Sequence, residues 1–207
     1  TYPPDVFSCA VCDRGTRVIY NLHLERFDNG LMEAEPLLMG ELSCEHGQPL
    51  ISCAASMVPL LRKGRKDDAE RAFQTSQQLL GDLSYAGIWA AGRILTYSAL
   101  IGDLQTAQDT LLKHASVALH HGTPTDRFGY LNACRALAKS LAVNGKSTAQ
   151  IQHLFPVQST DPSVLALELE RQISEIATAF DTRNGNEEYT RIISLFDSVF
   201  DDILSAL

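Results

Sequence analysis

No stretch of about 18 uncharged apolar residues occurs in this chain, so no membrane-spanning helix and no membrane partner are expected. The most apolar segment, Ile88 to Ile101, is interrupted by Arg93. A basic region followed by an apolar core is missing at the N-terminus, so no signal peptide is read there. Basic residues are few: 17 Lys and Arg stand against 25 Asp and Glu, a net charge of −8. Nucleic-acid binding needs a basic face, and none is visible. The one basic cluster, Arg62-Lys63-Gly64-Arg65-Lys66, falls at an expected turn and reads as solvated charge. Glycines are scattered singly, which excludes a phosphate loop or a dinucleotide fingerprint. Ser8, Ser43 and Ser52 sit in no nucleophile elbow, so an enzyme is the weakest reading. The five cysteines are odd in number and uneven, with Cys9, Cys12, Cys44 and Cys53 in the first quarter and Cys134 apart. That is no secreted disulfide framework, and a reducing, cytoplasmic location is expected.

What is present is a repeat. A turn residue, four positions and an alanine recur in Gly64 to Ala69 and Gly102 to Ala107, more loosely in Asn29-Gly30 to Ala34, and weakly in Asn144-Gly145 to Ala149. The alanines recur at intervals of about 35 to 42 residues, close to one helix–turn–helix unit of an α-solenoid. An all-α fold of about four helix pairs is expected, with residues 1–14 as an extended lead-in, 15–158 as repeats and 159–207 as a terminal helical pair. Helices are expected from about Cys12 to Arg26, Leu31 to Leu42 (flawed by Pro36), Pro49 to Arg62, Lys66 to Leu80, Tyr85 to Ile101 and Leu104 to His120. Asp28-Asn29-Gly30 is expected to turn the first pair, and Gly81 to stop the fourth helix. Thr125-Asp126 is read as the cap of the next helix, which runs to Val143 and has a brief partner closed by Pro156. Asp161-Pro162 opens a helix with Leu165, Leu169, Ile173, Ile176 and Phe180 on one stripe. The last helix carries a wide apolar stripe from Tyr189 to Leu207, which suits either a cap on the repeats or a homodimer or partner-domain surface, the latter making the chain an assembly or regulatory segment of a longer protein.

On these residues the chain resembles tetratricopeptide repeat proteins. In that family a glycine permits the tight turn and a small residue five positions on lets the helices approach. Gly64/Ala69/Phe73 and Gly102/Ala107/Leu111 match those positions, while the aromatic that opens each repeat in the family is mostly missing. The resemblance covers about residues 15–155 and implies a right-handed solenoid of antiparallel helix pairs. A narrower likeness is to bacterial tetratricopeptide proteins of no assigned chemistry. It rests on Phe7-Ser8-Cys9-Ala10-Val11-Cys12, Gly40-Glu41-Leu42-Ser43-Cys44 and Val58 to Arg65, and departs after Cys44, where His46 and Pro49 are differently spaced. The family implies that the first helix of each unit lines a concave face. That places Tyr20 and His23, then Trp89, Arg93 and Thr96, then Arg135 and Lys139 in a groove for a protein or peptide. Trp, Tyr and Arg dominate recognition energies, and Trp89 and Arg93 are i,i+4 neighbours. The competing reading puts Trp89 in the core between repeats.

One cluster points to metal. Cys9-x-x-Cys12 is a zinc-type hook, and Cys44-x-His46 supplies a second half. An antiparallel helix pair brings the start of its first helix next to the end of its second, so these four residues meet on one edge. Four protein ligands make a structural zinc, with no open catalytic position. Inert core thiols and a redox disulfide remain open as alternatives. His114, His120 and His121 gather near one helix end, where the dipole favours cations, and Cys134 reads as core.

Overall fold

The computed structural model describes residues 9–44, 47–80 and 85–206. The expected extended lead-in at Pro3-Pro4, the turn glycine Gly81, His46 and Leu207 lie outside the described residues. Among the described residues every regular element is helical, apart from one isolated bridge between Cys44 and Gln48. No described helix is long and apolar enough to cross a membrane. The chain falls into two compact units, Thr1–Asp82 and Leu83–Leu207.

The first unit holds α1 (Ala10–His23), α2 (Phe27–Leu38), α3 (Leu50–Arg62) and α4 (Lys66–Leu79). α1 packs on α2, α3 packs on α4, and α3 also touches both α1 and α2. Val18, Ala34 and Leu37 form one small core, while Cys53, Met57 and Leu60 of α3 and Ala69, Ala72 and Phe73 of α4 are buried on a second pair of packed helices. Burying one such leucine stabilises the fold by about 1.5–3 kcal/mol. α1 begins at Ala10, so it takes over part of the expected 1–14 lead-in.

The turn of the first pair is not where the glycine suggests. Asp28-Asn29-Gly30 lies inside α2, and the left-handed residue is Glu25, with φ 58°. Glu25 stands where Gly64 and Gly102 stand in the next pairs, with φ 72° and 79°. The backbone closes alike: the Arg26 N–H donates to Asn21 at 2.9 Å, and the Arg65 N–H donates to Leu60 at 2.9 Å. Counting five on from Glu25 gives Gly30, the equivalent of Ala69 and Ala107. A Cβ at Gly30 would meet Leu22 at 2.6 Å, so this glycine serves helix approach and not the turn.

The second unit holds α5 (Tyr85–Leu100), α6 (Leu104–His120), α7 (Pro124–Val143), α8 (Pro162–Asn184) and α9 (Glu188–Ala206). α7 is its central element and touches α5, α6, α8 and α9. It is buried nearly all round, which the alternation of Ala133, Ala136 and Ala138 with Leu131, Leu137 and Leu141 permits. Its cap is Thr123, two residues before the expected one: the Thr123 hydroxyl accepts from the Asp126 N–H, and Asp126 answers by accepting from the Thr123 N–H at 2.9 Å. Ser140 donates to the Ala99 carbonyl at 2.7 Å and fixes α7 on α5.

The fourth repeat does not close as expected. Ala149 is exposed in a turn, and only a 3-10 segment, Gln152–Leu154, follows. α8 packs beside α7 instead. It starts as read, with Asp161 accepting from the Ser163 N–H and Pro162 in the first turn. Its buried stripe is Leu165, Leu169, Ile173, Ala177 and Asp181, so Ile176 and Phe180 sit at its margin, half-buried.

The three histidines also separate. His120 and His121 are exposed, whereas His114 is 2% exposed with neither ring nitrogen hydrogen-bonded. Burial, then the nearby Lys113 charge, holds the His114 imidazole below its ordinary pKa, so it stays neutral in the fold. The unfolded chain takes up a proton at about pH 6.5 that the folded chain refuses. Stability is therefore expected to be flat above that value and to fall as the solution is acidified below it. His114→Leu should flatten that decline, read as Tm against pH from about 7.5 to 5.5.

Candidate ligand groove and cysteine cluster

In the first unit α1 carries Cys12 in its first turn, with Cys9 as its N-terminal flanking residue. Cys44 follows α2 and leads into α3, and its N–H donates to the Gln48 carbonyl at 3.0 Å. The Gln48 side chain then accepts from both the N–H and the hydroxyl of Ser52, which ties this short loop to α3. Gln48 reaches α1 because Gly15 offers no side chain: a Cβ there would lie 1.9 Å from Gln48 Nε2. The loop thereby sets Cys44 Sγ 3.2 Å from Cys12 Sγ. The sulfurs of Cys9, Cys12 and Cys44 all lie within 4.8 Å of one another, close enough to hold one metal ion. None of the three is part of a disulfide. The hydrogen bond with Cys44, burial and the Cys9 thiol push Cys12 up to about 12. A divalent cation reverses that effect, because it stabilises the thiolates that the crowded sulfurs disfavour. His46 lies outside the described residues. Cys53 and Cys134 are buried apart from this cluster, and burial pushes both thiols up.

In the second unit α5 and α7 lie side by side, and α9 touches both. Arg135 is 2% exposed, yet its Nη2 lies 2.9 Å from Asp197 Oδ1 on α9. Lys139, one turn on, places Nζ 2.5 Å from the same oxygen and sits over the Phe200 ring at 5.6 Å. Glu170 of α8 stands 4.0 Å from the other Arg135 nitrogen. At the opposite end Phe128 meets Tyr189 edge-on, with ring centroids 5.0 Å apart. Arg135 and Lys139 thus face an acid and an aromatic of the chain's own last helix.

The start of α9 is fixed by Asp181 of α8. Its carboxylate accepts from the Tyr189 N–H at 2.8 Å, the Thr190 N–H at 3.0 Å and the Thr190 hydroxyl at 2.8 Å. Desolvation raises the Asp181 pKa and is the largest single influence, but the three hydrogen bonds together outweigh it and hold the group below its ordinary value. Negative charge at a helix N-terminus also suits the dipole.

Between α5, α7 and α9 lies a cavity of about 200 Å³. Trp89, Arg93 and Thr96 of α5 line it, with the Arg93 guanidinium over the Trp89 indole at 4.9 Å. Thr96 is buried and its hydroxyl donates to Gly92. The remaining groove candidates, Tyr20 and His23, are exposed on the last turn and a half of α1 in the first unit. Sequence reasoning passed over Gly15, Gln48, Asp181 and Asp197. A glycine in the helix interior and a glutamine before proline were the signals for the first two, and nothing in the local pattern marks the acids. Comparison with protein-family models, with curated proteins and with solved structures finds no match.

Asp181→Ala should unseat the start of α9. Trp89, the sole tryptophan, reports this, because it shares the cavity wall with Tyr189. Its emission is expected to shift to the red in the variant. A carboxylate held below its ordinary pKa contributes stability that is present above about pH 4 and is lost as acid protonates it. The wild-type emission should therefore make the same shift on acidification below about pH 4, and not between pH 7 and 5.

Proposed function

We propose that the second unit is a non-catalytic binding module whose α5–α7 groove takes an amphipathic helix of a protein partner. The observation that carries this reading is the seating of α9: one acid, Asp197, sits against two cations, and one aromatic, Phe200, sits under Lys139. A groove that holds such a helix within the chain has the chemistry to hold a similar one from outside. Much of α9 is half-buried, with Phe200 and Ile203 its buried apolar anchors. The repeated turn at Glu25, Gly64 and Gly102 supports a tetratricopeptide-like solenoid as the scaffold, as part of a cytoplasmic protein with neither a nucleic-acid nor a membrane role.

Phe200→Asp in the full chain should release α9. A labelled peptide of residues 186–206 is then expected to bind that variant at least about tenfold more tightly than wild type. Adding Lys139→Ala should weaken the peptide again by about tenfold. A peptide that binds neither chain sinks the groove reading. A wild-type dimer that becomes monomeric with Phe200→Asp would instead assign the last helix to assembly.

The cysteine cluster supports a second reading, a structural zinc held by Cys9, Cys12, Cys44 and His46. Its support is the convergence of three sulfurs within 4.8 Å. Zinc would staple the start of α1 to the loop after α2 and leave no open position for catalysis. Elemental analysis of untagged protein should give one zinc per chain, with two of the five thiols titrating only on unfolding for want of exposure and three only after chelation. Absence of metal with freely reactive Cys9, Cys12 and Cys44 would overturn it.

A further inference from the structure

The cavity between α5, α7 and α9 has the features of a built site. Two glycines, Gly92 of α5 and Gly129 of α7, line it from facing helices. Glycine inside a helix is costly, so its presence calls for a reason. A Cβ at Gly129 would meet nothing within 4 Å, and one at Gly92 would make only ordinary contact with Tyr130 at 3.7 Å. Neither glycine is demanded by a clash, and together they leave the space open. The walls are aromatic: Trp89, Phe128, Tyr130, Tyr189 and Phe196. Flat walls of this kind suit one ring bound between them.

Two buried acceptors of the cavity lining, Asn132 Oδ1 and Asp126 Oδ1, have no hydrogen-bond donor, whereas the Thr96 and Tyr130 hydroxyls are satisfied. Arg93 is stacked on Trp89 and makes no ion pair with any described residue. Arg93 is half-buried, and the desolvation it suffers lowers its pKa from the ordinary value. Asn132 is 1% exposed, and its amide nitrogen donates to Phe128 while its Oδ1 has no donor. Asp126 is 7% exposed; Oδ2 serves the helix cap, whereas Oδ1 has no partner. Buried acceptors without donors are rare in folded proteins and call for an explanation.

We infer that this cavity binds a small aromatic carboxylate that also carries an N–H or O–H donor. The carboxylate meets Arg93, the ring lies between the aromatic walls, and the donor meets Asn132 or Asp126. A volume of about 200 Å³ accommodates one substituted ring and excludes a helix. Because α9 supplies part of the wall, a free acid fits with α9 in place, whereas a chain segment does not. The inference is therefore independent of the partner-helix reading, and the two separate experimentally: Phe200→Asp should weaken the acid and strengthen the peptide.

The test is calorimetric titration of the full chain with 4-hydroxybenzoate, benzoate and the neutral 4-hydroxybenzamide, with Trp89 emission as a second readout. 4-Hydroxybenzoate should bind saturably in the sub-millimolar range, on the order of what a ligand of about ten non-hydrogen atoms reaches. The neutral amide should be at least about tenfold weaker, since it forfeits the charge-assisted bond to Arg93. Benzoate should fall between them. Gly129→Leu should abolish binding without loss of Tm, because it fills the cavity and improves helix propensity. Arg93→Met should weaken the acid about tenfold and leave the amide unchanged. No saturable binding up to about 10 mM, equal binding of acid and amide, or unaltered binding by Gly129→Leu would each overturn the inference. So would response to a peptide ending in an aromatic residue but not to the free acid.

Discussion

The second unit is organised around the Arg135 guanidinium, which cannot stay buried alone. A charge removed from water without a partner is strongly destabilising, far more than an exposed ion pair is worth. Arg135 is 2% exposed in the middle of α7, and its neutralisation comes from Asp197 on α9, with Glu170 on α8 farther away. That requirement draws α9, and α8 at longer range, onto α7. Lys139 shares Asp197 and leans on Phe200, so the contact is a small network and not a single bridge.

The rest of the unit makes this arrangement affordable. α7 accepts neighbours on all sides because alanines alternate with leucines along it, and Tyr130 disposes of its hydroxyl against the Thr110 and Leu111 carbonyls. Asp181 supplies the start of α9 with the hydrogen bonds that its first N–H groups lack. The helix held in this way packs on α8 and touches both α5 and α7. In the function proposed above, binding by the groove and retention of α9 would draw on the same side chains. A cavity with an unmatched arginine persists beside the contact, where two glycines keep α5 and α7 from filling the space.

Helix positions were legible where apolar spacing and punctuation agreed. Lys66 to Leu79 and Leu104–His120 follow from Gly64 and Gly102 and from alanines that need to be inside. The first pair misled because Glu25 occupies a left-handed turn that sequence assigns to glycine, while Gly30 is used for close approach. The fourth repeat misled because Ala149 repeats the spacing without a helix to belong to. Cys9, Cys12 and Cys44 could be brought together from sequence because helix pairs return on themselves. Asp197, which meets Arg135, and Asp181, which caps α9, lie about 62 and 46 residues away from Arg135, beyond any local periodicity.

The central claim is that α9 occupies the α5–α7 groove. Proton–proton contacts in solution test it most directly. Isotope-edited spectra of the full chain should show transfer between the Phe128 and Tyr189 rings, whose centroids lie 5.0 Å apart, and between the Lys139 side chain and the Phe200 ring. Helical signals for residues 188–206 with neither of these contacts would place the helix elsewhere and contradict the account.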